Sequence, residues 1–112
     1  MDTLQEDIFA RDYRELTQNE AHPSMVDFFE KAPYVYQEKI VRYLKNGHCY
    51  ASTTGRERDV FTGEIIPKEI AILTDAVYFW DSLLYHYVEK YNLRLEKEFE
   101  QHILRKLGIL NE

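Results

Sequence analysis

His86 and Glu89 stand three residues apart, and in a helix that spacing puts both side chains on one face, where they would suit metal ligation or acid–base work. A di-metal carboxylate centre needs further Glu and His from facing helices, and a zinc peptidase needs His-Glu-x-x-His; the sequence has neither. Polar residues on the outer face of an amphipathic helix account for the pair. His48 and Cys49 are the right types for a base and a nucleophile, but successive strand residues point to opposite faces, so they form no dyad. Cys49 is expected as a buried structural cysteine. His22 and His102 have no ligand-spaced companions. The stretches Thr53-Thr54-Gly55-Arg56 and Thr62-Gly63-Glu64 each carry a single glycine and lack the lysine of a phosphate loop, and no Gly-x-Ser-x-Gly elbow occurs. Asp59, Glu64, Asp75 and Asp81 flank the expected strands at their loops, the places where a polar cleft would form. The sequence therefore predicts a protein that is not an enzyme and takes no cofactor or metal.

Charge is the more informative signal. The chain of 112 residues has a net charge of −6 from 20 acids and 14 lysines and arginines. Residues 1–30 hold eight of the acids against Arg11 and Arg14, so the whole excess lies there, and residues 31–112 balance at twelve of each sign. Phosphate-backbone binding needs a basic footprint, which is missing. An acidic segment on a neutral body suits a partner protein with a basic surface, because complementary fields raise association rates; the plainer account is a solvated face that aids solubility. The candidate partner-binding residues are Asp2, Glu6, Asp7, Asp12 and Glu15. Among the aromatics crowded between residues 78 and 91, Trp80, Tyr87 and Tyr91 are expected in the core, and Tyr85 at the surface as a partner contact.

The elements that must position these residues follow from composition and period. Hydrophobic residues make up 45% and aromatics 14%, enough for one compact domain over 1–112. One cysteine excludes an internal disulfide. No apolar run reaches the ~20 residues of a membrane span, and the acidic start lacks the basic and apolar regions of a signal peptide, so a cytoplasmic protein is expected. Phe9, Tyr13 and Leu16 at helical spacing, with Thr3 and Glu6 as a capping pair, predict a helix over 3–17. Ser24 is placed to cap a short second helix to about Lys31, burying Met25, Phe28 and Phe29. A third helix begins near Pro33, carries Tyr36, Ile40, Tyr43 and Leu44, and ends at Asn46-Gly47 in a left-handed C-terminal stop. Residues 48–54 alternate as a strand. Two β-rich runs, 69–73 and 77–80, flank Thr74-Asp75-Ala76 and read as an antiparallel hairpin. A helix with Leu84, Val88 and Tyr91 follows a cap at Asp81 or Ser82, and a last one carries Phe99, Ile103 and Leu107 up to Gly108. The fold class is α+β: a small antiparallel sheet of three to four strands packed with N- and C-terminal helices.

From Tyr36 onward the chain resembles a family of small, mostly uncharacterised bacterial proteins. The phrases that carry the resemblance are Lys39-Ile40 with Tyr43-Leu44 and Gly47, Asp59-Val60-Phe61-Thr62-Gly63-Glu64, Thr74-Asp75-Ala76-Val77-Tyr78-Phe79-Trp80, and Tyr87 to Leu95 followed by Glu98-Phe99. Such proteins usually read Thr-Asp-Gly at the hairpin link and carry a proline after Leu-Arg-Leu, where this chain has Ala76 and Glu96. Either Ala76 takes a positive φ, at about 1 kcal/mol relative to glycine, or the turn is of another type. The resemblance implies no activity; some proteins of this build resemble cognate inhibitors of toxins. The expected function is thus a protein-binding inhibitor, such as an immunity protein that neutralises a toxin or nuclease by occluding a basic site. The alternative is a phage-encoded or DNA-mimicking inhibitor of a nucleic-acid-binding complex, and a small enzyme stands third. No direct contact with nucleic acid or membrane is expected.

Overall fold

The computed structural model describes residues 8–110. The elements run β1 (Ile8–Phe9), α1 (Arg14–Thr17), a 3-10 turn (Met25–Phe28), α2 (Gln37–Lys45), β2 (His48–Ser52), β3 (Ala71–Thr74), β4 (Tyr78–Asp81), α3 (Leu84–Tyr91) and α4 (Lys97–Lys106). The class is α+β. In the four-stranded sheet the order is β1-β4-β3-β2. Strands β2, β3 and β4 pair antiparallel, while β1 lies parallel to β4, so the sheet is mixed rather than purely antiparallel.

Leu73 and Trp80 are cross-strand partners on the helix-covered face of the sheet. Tyr78 shares that face and stacks on Phe99 of α4, with centroids 4.5 Å apart. The Trp80 indole donates to the Leu44 carbonyl at 3.0 Å, which ties the sheet to the end of α2. Phe79 points the other way, between the rings of Phe9 at 5.2 Å and Tyr50 at 4.9 Å.

Helix α2 buries Ile40, Val41 and Leu44 and ends where the Asn46 N–H reaches the carbonyls of Arg42 and Tyr43. It starts at Gln37, later than Pro33. The Gln37 side chain is buried, accepts from the Tyr34 N–H and donates to the Val88 carbonyl and to Asn92, so it joins the start of α2 to the end of α3. Asn92 closes α3 in the left-handed conformation (φ 58). Asp81 accepts from the Leu83 N–H just ahead of α3, whereas Ser82 is bonded instead to Ala71 and Glu69 beside the sheet.

The helix expected over 3–17 is overturned from residue 8 onward. Residues 8 and 9 are a strand, and only Arg14–Thr17 form a helical turn. The 3.6-residue stripe has another cause. Phe9 lies against Phe79 on the sheet while Tyr13, 1% exposed, enters the core, so each apolar side chain finds its own seat along an extended chain. The Thr3–Glu6 capping pair lies outside the described residues. The second helix shortens to the 3-10 turn, with Ser24 accepting from the Val26 N–H.

Ala76 has φ 82. A β-carbon is strained in that region, and the Asp75 and Thr74 side chains hold the turn there by accepting from the N–H groups of Val77, Tyr78 and Ala76. Ala76→Gly is expected to stabilise the protein by about 0.5–1 kcal/mol, read as a higher urea midpoint at unchanged slope. A lower midpoint would show that the freedom gained by the unfolded glycine chain outweighs relief of the strain.

Candidate functional site

One buried and one partly buried aspartate, Asp59 and Asp75, each with a histidine and a tyrosine, are the strongest polar constellations among the described residues. Asp59 is 1% exposed. Its Oδ1 accepts from the N–H groups of Phe61 and Thr62 at 2.7 and 3.1 Å, and its Oδ2 from His86 Nε2 at 2.7 Å, while the Tyr91 hydroxyl bridges both oxygens. Burial raises the cost of its charge, but the bonds from His86, Phe61, Tyr91 and Thr62 outweigh that and hold its pKa at about 2. Around this carboxylate the segment of residues 58–66 docks on α3. The Tyr87 hydroxyl accepts from the Val60 N–H, and Lys90 pairs with Glu64 at 2.6 Å.

Asp75 repeats the arrangement at the hairpin. Its Oδ1 accepts from the Val77 and Tyr78 N–H groups, and its Oδ2 from the Tyr43 hydroxyl of α2 and from His102 Nε2 of α4. Again burial opposes the charge and the donors, Tyr43 first among them, prevail at about 2. A carboxylate offers about four lone-pair positions, and in both clusters these are filled from within the protein. Neither group accepts a substrate proton or a metal without giving up a bond that holds two elements together. Both clusters are structural clamps. Asp59 to Glu64 meets Tyr87 to Tyr91 in one clamp, and Thr74 to Tyr78 forms the other.

His86 is therefore not paired with Glu89 on an outer face. It turns inward to Asp59 while Glu89 is exposed. Cys49, expected buried, is exposed. It lies on β2, one of the two edge strands, all of whose residues are exposed. Tyr85, expected at the surface, is 6% exposed, with the Lys45 ammonium over its ring at 5.2 Å. The crossing of α2 and α3 covers the first turn of α3, and burial raises the Tyr85 pKa.

Of the acids singled out in the sequence, Asp2, Glu6 and Asp7 lie outside the described residues. Asp12 is exposed, 3.9 Å from His22. Glu15 is not on a free flank. Its carboxylate accepts from the Ser24 hydroxyl and the Met25 N–H, bonds that overcome the opposing effect of burial and lower its pKa. Glu20, Asp27 and Glu30 are exposed. The Arg11 guanidinium lies over the Phe28 ring at 4.2 Å, and Arg14 Nε donates to the His22 carbonyl. Phe9 (60% exposed), expected on the apolar stripe of the first helix, and Tyr50 (65% exposed), which the sequence did not single out, form an exposed aromatic pair flanking Phe79. The signal for Tyr50 was the uncharged run of residues 48–55, which fits an exposed edge strand as well as a buried one.

A cavity of about 410 Å³ opens between α2, the start of β2, the β3–β4 turn and the end of α4. Lys39, Arg42 and His48 line it together with Trp80. Among the described residues, no group of three or more His, Cys, Asp or Glu is arranged to hold a metal ion, and no helix is long and apolar enough to cross a membrane. No protein-family model, curated protein or solved structure matches the chain.

Proposed function

We propose that the protein is a cytoplasmic protein-binding inhibitor of the immunity type, which neutralises a toxin or nuclease by covering a basic site. The observation that carries this reading is the confinement of all six excess negative charges to residues 1–30. Four acids of that segment, Asp12, Glu20, Asp27 and Glu30, are exposed, and their one ion pair among the described residues is the long Asp12–His22 contact. The Arg11 guanidinium is engaged by the partly buried Phe28 ring rather than by these acids. Phe9 and Tyr50 supply exposed aromatic surface of the kind that anchors interfaces. The two saturated aspartate clamps give no support to catalysis.

The test is an amide series at Asp12, Glu20, Asp27 and Glu30, measured against the basic protein that a pull-down with this chain from its native host recovers. Stability is expected to stay within about 0.5 kcal/mol per site. Association is expected to slow and to lose most of its salt dependence. Glu15 is left out because Glu15→Gln would weaken the seat of Ser24 and Met25. Unchanged association rates at low salt would reduce the acids to a solubilising role.

A further inference from the structure

The cavity beside α2 combines features that the inhibitor reading does not use. Lys39, Arg42, Tyr43 and Asn46 fall at i, i+3, i+4 and i+7 and line it as one helix face. Lys39 and Arg42 are exposed, and among the described residues neither has an acidic partner, although acids outnumber bases by six in the chain. The acidic residue in the lining is Asp75, whose carboxylate is committed to Val77, Tyr78, Tyr43 and His102 and so has no lone pair left for these cations. Trp80 forms part of the wall, with Leu107, 41% exposed, and Ile109 at the end of α4. The volume falls in the range of sites for small organic ligands, which pair an apolar wall with a few placed polar groups.

We propose that this cavity binds a small organic anion, a carboxylate or phosphate held by Arg42 and Lys39, with an aromatic or aliphatic body against Trp80, Leu107 and Ile109. Arginine takes either anion in a bidentate pair, and the apolar wall excludes a bare hydrated ion as the preferred occupant. A cationic ligand is disfavoured by the same two side chains. Binding here is independent of the acidic segment, so the inhibitor reading and this one stand or fall separately.

Trp80 is the single tryptophan, so its indole N–H gives one resolved signal at the cavity wall. The experiment titrates ¹⁵N-labelled protein with benzoate, phenyl phosphate and the neutral benzamide. Saturable shifts of the Trp80 indole and of the Gly47 and Thr74 amides are expected with both anions, at least about tenfold tighter than with benzamide, the worth of one charge-assisted contact. The Lys39→Gln, Arg42→Gln double variant is expected to lose that advantage and to leave benzamide unchanged, while Lys31→Gln, an exposed change outside the cavity, has no effect. Arg42→Gln alone provides the same readout if the double variant unfolds early. Absence of saturation with either anion, equal binding of benzamide, or equal loss in Lys31→Gln would overturn the proposal.

Discussion

Asp59→Ala is expected to cost about 3 kcal/mol, close to half of what a small domain has in reserve. The loss is not that of one contact. Removing the carboxylate strands His86 Nε2, the Tyr91 hydroxyl and two loop N–H groups around a position that is 1% exposed, and releases the segment of residues 58–66 from α3. Asp59→Asn keeps a carbonyl oxygen for the loop N–H groups and is expected to cost less, about 1–2 kcal/mol. Urea unfolding at neutral pH measures both, and a loss below 1 kcal/mol for the alanine variant would show that the clamp is dispensable. The same carboxylate leaves a mark on acid stability. Its pKa is lowered from 3.8 to about 2 on folding, so its contribution is complete above pH 3.8 and vanishes as pH falls through 2. The difference amounts to about 2 kcal/mol, and the slope of stability against pH in that window is expected to flatten in Asp59→Asn.

Gly47→Ala carries the second large effect, about 2–3 kcal/mol of destabilisation from overpacking. A β-carbon at residue 47 falls 2.5 Å from Trp80 Cζ2 and 3.0 Å from Leu73 Cβ. The indole cannot retreat cheaply. Its N–H is bonded to the Leu44 carbonyl and its ring sits between Tyr43 and Phe99, at 6.0 and 5.6 Å. Leu73 Cβ belongs to the central strand, so the junction of α2 and β2 has to move instead. A lowered urea midpoint together with a displaced Trp80 indole signal is expected; an unchanged signal would mean that the helix end absorbs the methyl group.

The parts of the fold that the sequence displayed are those fixed locally. The hairpin about Asp75 and the stripes of α3 and α4 each follow from residues a few positions apart. Helix α2 does stop at Asn46-Gly47, but not through a left-handed residue, since Asn46 has φ −100 and Gly47 is needed for its close approach to Trp80. At the Thr74-Asp75-Ala76 link, Ala76 takes a positive φ because two side chains hold the turn. What stayed hidden depends on distant partners. Glu15 looked like a free flank until Ser24 and Met25 were brought to it, and His86 looked like a surface polar residue until Asp59 arrived from another segment. Tyr85 and Cys49 exchanged their expected places for a topological reason. The α2–α3 crossing covers one, and an edge position exposes the other. Of the acidic surface, the sign and the location were legible, but not which acids are committed internally.

The parallel pairing of β1 with β4 also orders events in time. Ile8 and Phe9 meet Tyr78 and Phe79, residues 70 positions further along the chain, whereas β3 and β4 are joined by three residues. Closing a loop of that length costs entropy before any contact rewards it, and only two ladder positions are there to do so. Assembly is therefore expected to proceed outward from the hairpin, with the β1–β4 pairing added last. During synthesis Ile8 and Phe9 are made before their docking strand, so until Tyr78–Asp81 have been made, β1 has no sheet edge to join.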